Sequence, residues 1–109
     1  MKTPEELAAI KETLKAKHKK VIEVEIPMDE DDANVTATIF LKKPDNTTRA
    51  ILAKLVEKDP MKALEATVKN IYIGGDDINE VLKNEDALPS LDTVIADLLQ
   101  VQKAVIKKN

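Results

Sequence analysis

The chain has 109 residues, 43% of them hydrophobic and 34% charged, with a formal net charge of −3. That length suits one domain and is too short for two, and a domain of this size buries roughly 60–70% of its unfolded surface without needing staples. The absence of cysteine excludes disulfides, thiolate metal sites and cysteine nucleophiles, while an acidic balance with Phe40 and Tyr72 as the only aromatics argues against nucleic acid as a partner.

The N-terminus, Met1-Lys2-Thr3-Pro4-Glu5-Glu6, shows no apolar core of a signal peptide. No apolar run approaches the ~20 residues of a membrane span, so a cytoplasmic location without membrane contact is expected. Thr3-Pro4-Glu5-Glu6 is instead a capping box with proline at the first helical position. Leu7, Ile10 and Leu14 then make a narrow apolar stripe, and the helix should fade near Lys17. Lys11, Lys15, Lys17, His18, Lys19 and Lys20 make residues 11–20 basic. A solvated helix C-terminus, where cations favour the helix dipole, is the plainer reading; contact with a phosphate or an anionic partner is the other.

Residues 21–26 alternate, with Ile22, Val24 and Ile26 on one side and Glu23 and Glu25 on the other. Residues 35–41 alternate again, with Val35, Ala37, Ile39 and Leu41 facing away from Thr36, Thr38 and Phe40. Both are half-buried strands, and the simplest pairing is an antiparallel hairpin. Its connection, from Pro27 to Asn34, lacks an Asn-Gly type of turn and is expected to be mobile at the tip.

After Pro44 the apolar period changes from 2 to 3.6. Asp45 or Thr47 can cap a helix carrying Ile51, Leu52, Leu55 and Val56. Asp59-Pro60 starts another, with the stripe Met61, Leu64, Val68 and Ile71. Gly74-Gly75 is expected to stop that helix through left-handed geometry. Asp76 or Asp77 can cap a short turn bearing Ile78, Val81 and Leu82. Residues 83–87 read as polar linker. Pro89 or Ser90 opens a final helix with Leu91, Val94, Ile95, Leu98, Leu99, Val101, Val105 and Ile106. The expected architecture is a single α+β domain over 1–109: an N-terminal helix (1–19), an antiparallel β-hairpin (20–42) and a half of three to four helices (45–109). A two-stranded hairpin is marginal alone and must lie on these helices.

The chemistry-bearing residues form no constellation. A calcium loop beginning at Asp29 needs glycine at its sixth position and glutamate at its twelfth, where the chain has Asn34 and Phe40. A weak surface cation site is the metal reading left over, and a solvated hairpin tip is the plainer one. Gly74-Gly75-Asp76-Asp77 lacks the glycine spacing and the Lys-Ser/Thr of a phosphate loop. His18 and Ser90 are the only histidine and serine, and no nucleophile elbow surrounds Ser90. No catalytic residue, cofactor or metal ligand is therefore assigned, and the protein is read as not an enzyme.

Three features could meet a partner. Phe40 is exposed if only the opposite sheet face packs on helices, and buried if helices cover both or a twist at the strand end turns it inward. The last helix has rows seven residues apart (Leu91, Leu98, Val105; Val94, Val101), widened by Ile95, Leu99 and Ile106. Part of that arc could meet another chain, including a second copy in a homo-oligomer, although burial within the domain is the plainer reading. A two-stranded sheet also has free edges open to strand addition. Phe40, Leu99, Val101 and Ile106 are the candidate partner-binding residues.

One stretch carries a resemblance. Lys43-Pro44-Asp45, the helix led by Asp59-Pro60, the Gly74-Gly75-Asp76 stop and a long amphipathic C-terminal helix resemble the phage or prophage tail assembly chaperone family. The similarity runs over roughly residues 20–106 and is sharpest over 41–76. It implies a non-enzymatic protein, made in the bacterial host, that binds the long helical tape measure protein and keeps it soluble while the tail tube assembles. It further implies absence from the finished virion and, in many members, a frameshifted longer form. Two other readings stay open: a minor structural tail or connector protein, and a small cellular adaptor domain binding one protein partner.

Overall fold

The computed structural model describes residues 1–99, apart from the Leu99 side chain. It opens with helix α1 (Pro4–Lys17), whose capping box is complete: the Glu6 amide donates to Thr3 Oγ1 and the Thr3 amide to Glu6 Oε1, each at 3.2 Å. Strands β1 (Ile22–Pro27) and β2 (Thr36–Leu41) form the antiparallel hairpin, with Val24 opposite Ile39 and Ile26 opposite Ala37. Four helices follow: α2 (Asn46–Lys58), α3 (Pro60–Ile71), α4 (Ile78–Lys83) and α5 (Leu88–Leu99). The α+β class and the order helix, hairpin, helices are those expected from the sequence.

The structure adds a third strand, β3 (Tyr72–Gly75), antiparallel to β2 in the order β1-β2-β3. Gly74-Gly75 is thus no helix stop. Helix α3 ends one turn earlier, at Ile71, with Tyr72 in extended geometry as its C-cap. The chain then runs along the edge that a two-stranded sheet would have left free. A bulge at Phe40/Leu41 lets Gly75 face Ile39 and Gly74 face Phe40. Gly75 has φ +107°, and a Cβ there would lie 2.5 Å from the Thr38 carbonyl oxygen. The glycine is needed for close backbone approach within a sheet rather than for a helix end.

Helices cover both sheet faces. On one, Val24, Ile26, Ala37, Ile39 and Leu41 join Leu64, Val68 and Ile71 of α3, Ile78 and Val81 of α4, and Leu91 and Ile95 of α5 in the main core. On the other, α1 crosses β3, and Gly74 leaves room for Leu14 and Ile10 to come within 3.1–3.2 Å of where its Cβ would be. Phe40 lies on this second face and is wholly buried, which overturns its assignment as an exposed partner residue. Phe40 alternates away from Ile39 and Leu41 as expected, and the alternative in which helices cover both faces is the one the fold adopts.

Polar groups tie the sheet to its surroundings. Asp76 is buried, and its carboxylate accepts from the Thr38 amide and the Lys2 amide, both at 2.8 Å. Its own amide donates to the Thr38 carbonyl at 2.8 Å. The hairpin connection, expected to be loose, is anchored: the Glu30 amide donates to Asp86 Oδ2 at 3.2 Å, and Asn84 Nδ2 donates to the Met28 carbonyl at 2.9 Å. The polar linker before α5 thus serves as a strap for the hairpin. Asn84 Oδ1 also accepts from the Asp86 and Ala87 amides. The last helix begins at Leu88, and Ser90 lies inside its first turn rather than capping it.

Candidate functional site

Two adjoining caps set the geometry of α2 and α3. Asp45 Oδ1 accepts from the Thr48 amide at 2.7 Å and starts α2. Those hydrogen bonds, from the amide and then the hydroxyl of Thr48, hold the Asp45 carboxyl below its ordinary range. Asp59 then does two jobs: its amide closes α2 on the Leu55 carbonyl at 2.9 Å, and its carboxylate caps α3 through the Lys62 amide at 3.1 Å. With Pro60 as the first residue of α3, one residue separates the helices and they meet at a sharp corner.

This corner leaves α2 at the periphery, packed on α3 and the flank of α5. Its apolar residues Ile51, Leu52, Leu55 and Val56 span an arc of about 140° at ~100° per residue, more than one neighbouring face can cover. Leu52 is buried, whereas Ile51 is 63% and Val56 41% exposed. Met61, expected in the α3 stripe, is 61% exposed in the first turn, before the helix reaches the core.

Between α2, α3 and α5 runs an open groove of about 360 Å³. Ala63, Leu64 and Thr67 of α3 line it, with Ala53 and Val56 from α2 and Ile95 and Ala96 from α5. The Thr67 hydroxyl donates to the Ala63 carbonyl at 2.7 Å and is satisfied within α3. Glu57 and Asp92 are the charged residues lining the groove among the described residues, with no lysine or arginine among them. Arg49, the second upstream turn of α2 from Val56, lies outside the lining; its Nε is shielded from water with no hydrogen-bond partner among the described residues.

The sequence-nominated partner residues do not assemble here. Phe40 is in the core on the far side of the sheet, α5 is described only to the Leu99 backbone, and Val101 and Ile106 lie outside the described residues. Val56, Ala53 and Ala96 were not nominated. The over-wide apolar arc of α2 is the signal that could have pointed to them. Of the chemistry-bearing residues, His18 ends α1 and Ser90 sits in α5, and among the described residues no group of three or more His, Asp or Glu side chains is placed to hold a metal. No helix among the described residues is long and apolar enough to cross a membrane. No known family, curated protein or solved structure matches the chain.

Proposed function

We propose that the protein is a non-enzymatic assembly chaperone of the phage tail type, holding helical segments of a tape measure protein until the tail tube encloses them. The observation that carries this reading is the apolar groove between α2, α3 and α5, with the Val56 side chain in its lining left 41% exposed. A chaperone must present apolar surface without itself aggregating, and here the groove is small and flanked by charge. The corners that resemble the tail chaperone family, at Lys43-Pro44-Asp45 and Asp59-Pro60, supply the caps that start α2 and α3, two of the helices that form the groove. Burial of client apolar surface would supply roughly 25 cal/mol per Å² before association costs.

The test is an affinity capture from the native host under prophage-inducing conditions, using an N-terminally tagged full chain and mass spectrometry. Recovery of a long tape-measure-like protein, with the bait missing from finished particles, supports the chaperone. Retention of the bait in particles replaces it with a structural tail protein. Recovery of cellular proteins alone, with the phage genes expressed, leaves an adaptor domain.

A further inference from the structure

The groove's chemistry specifies its guest more closely. A pocket for a small polar ligand needs convergent hydrogen-bonding groups, but the Thr67 hydroxyl is already donated to Ala63 and the remaining floor is aliphatic. Three alanines, Ala53, Ala63 and Ala96, sit where larger side chains would fill the space, so the groove accepts apolar side chains from outside. Glu57 projects from α2 and Asp92 from α5. Both helices thus bring a carboxylate to the lining, and among the described residues no cation accompanies them there. We infer that this groove binds an amphipathic helix of a partner protein whose apolar stripe is flanked by lysine or arginine, the stripe entering between α2 and α5 and the cations pairing with Glu57 and Asp92. Helix-in-groove recognition of this kind places anchors at i, i+3, i+4 and i+7, and the paired charges select against acidic helices and raise the association rate. That such a helix belongs to a tape measure protein rests on the chaperone reading above; the groove's preference for basic flanks does not.

The experiment measures fluorescence anisotropy of two designed helical peptides on the full-length protein. Both carry the same leucine stripe; one has lysine flanks and the other glutamate. The lysine peptide is expected to bind at least about tenfold more tightly, with the difference shrinking in high salt. The double variant Glu57→Lys/Asp92→Lys should reverse that preference. Ala96→Trp, at an exposed position, should abolish binding while the circular dichroism spectrum and thermal midpoint stay unchanged. Equal affinity for both peptides, binding of neither, or indifference to all three substitutions overturns the assignment. So does a rise in peptide affinity on Val105→Asp/Ile106→Asp, which would make the chain's own tail the occupant. Dissociation of a dimer by Ala96→Trp would make the occupant a second copy and overturns it equally. If the peptides behave as expected but no tape measure protein is captured from the host, the groove assignment stands and the chaperone reading falls. If that protein is captured and the groove variants still hold it, the reverse is true.

Discussion

Strand β2 and helix α2 are neighbours in the chain, both rich in apolar residues, yet they end in opposite environments. In β2, Ala37, Ile39, Phe40 and Leu41 are all buried to 1% exposure or less. In α2, only Leu52 among Ile51, Leu52, Leu55 and Val56 is buried. The difference lies in the number of neighbours each element can have. A central strand has β1 and β3 on its edges and helices on both faces. A peripheral helix fixed by caps at both ends has α3 on one side and the edge of α5 on another. Apolar surface left over by that geometry is what a binding function has to work with, and it collects on α2 rather than on the sheet.

The largest expected effect tests the sheet side of this contrast. Phe40→Ala should destabilise the protein by about 3–5 kcal/mol, seen as a lower urea midpoint; a loss below ~1 kcal/mol would mean that α1 does not seal the second face. Asp76→Ala comes next. It strands the Thr38 and Lys2 amides, at a cost of about 1–3 kcal/mol, and hydrogen exchange at Thr38 should quicken more than at the α2 amides. Equal change at both would show that Asp76 does not specifically hold the β2–β3 side.

On the α2 side the effects should be smaller. Ile51→Ser removes a mostly exposed side chain and should shift stability by no more than ~0.5 kcal/mol; a loss of 2 kcal/mol or more would reveal packing on α2 that the contrast denies. The smallest effect is pH dependence at the helix caps. Hydrogen bonding lowers the carboxyls of Asp45 and Glu6, chiefly through the Thr48 and Thr3 amides respectively. Because both folded values lie below the unfolded ones of 3.8 and 4.5, their contribution is present above those values and is lost as pH falls through the folded ones. Urea midpoints should therefore decline from about pH 5 downward, and Asp45→Asn, which keeps an acceptor that does not titrate, should flatten part of that decline. An unaltered slope would remove Asp45 from the account.

Much of the fold was legible because its signals are local. The Thr3 capping box, the Asp59-Pro60 start and the alternation through Ile22–Ile26 and Val35–Leu41 each depend on residues within one turn or one strand, where backbone sterics and capping hydrogen bonds act. The third strand was not legible: Tyr72-Ile73-Gly74-Gly75 has no alternation, and its pairing depends on β2 being within reach. Glycines marked a special backbone at 74–75, but a helix end and a close strand approach both ask for glycine. The groove was not legible. Helical spacing puts Ile51, Leu52, Leu55 and Val56 on an arc of about 140° of α2, but no local signal says which of them a distant element will cover.

The sequence by itself determined where α1 and α3 begin, which two stretches pair as the hairpin, and that no cysteine chemistry is available. Tertiary structure alone decided that α1 closes over Phe40, that β3 completes the sheet, and that α2, α3 and α5 leave a groove rimmed by Glu57 and Asp92. Local propensity acts over a few bonds, whereas burial depends on which distant element arrives to cover a face, and that choice belongs to the packing of the whole chain.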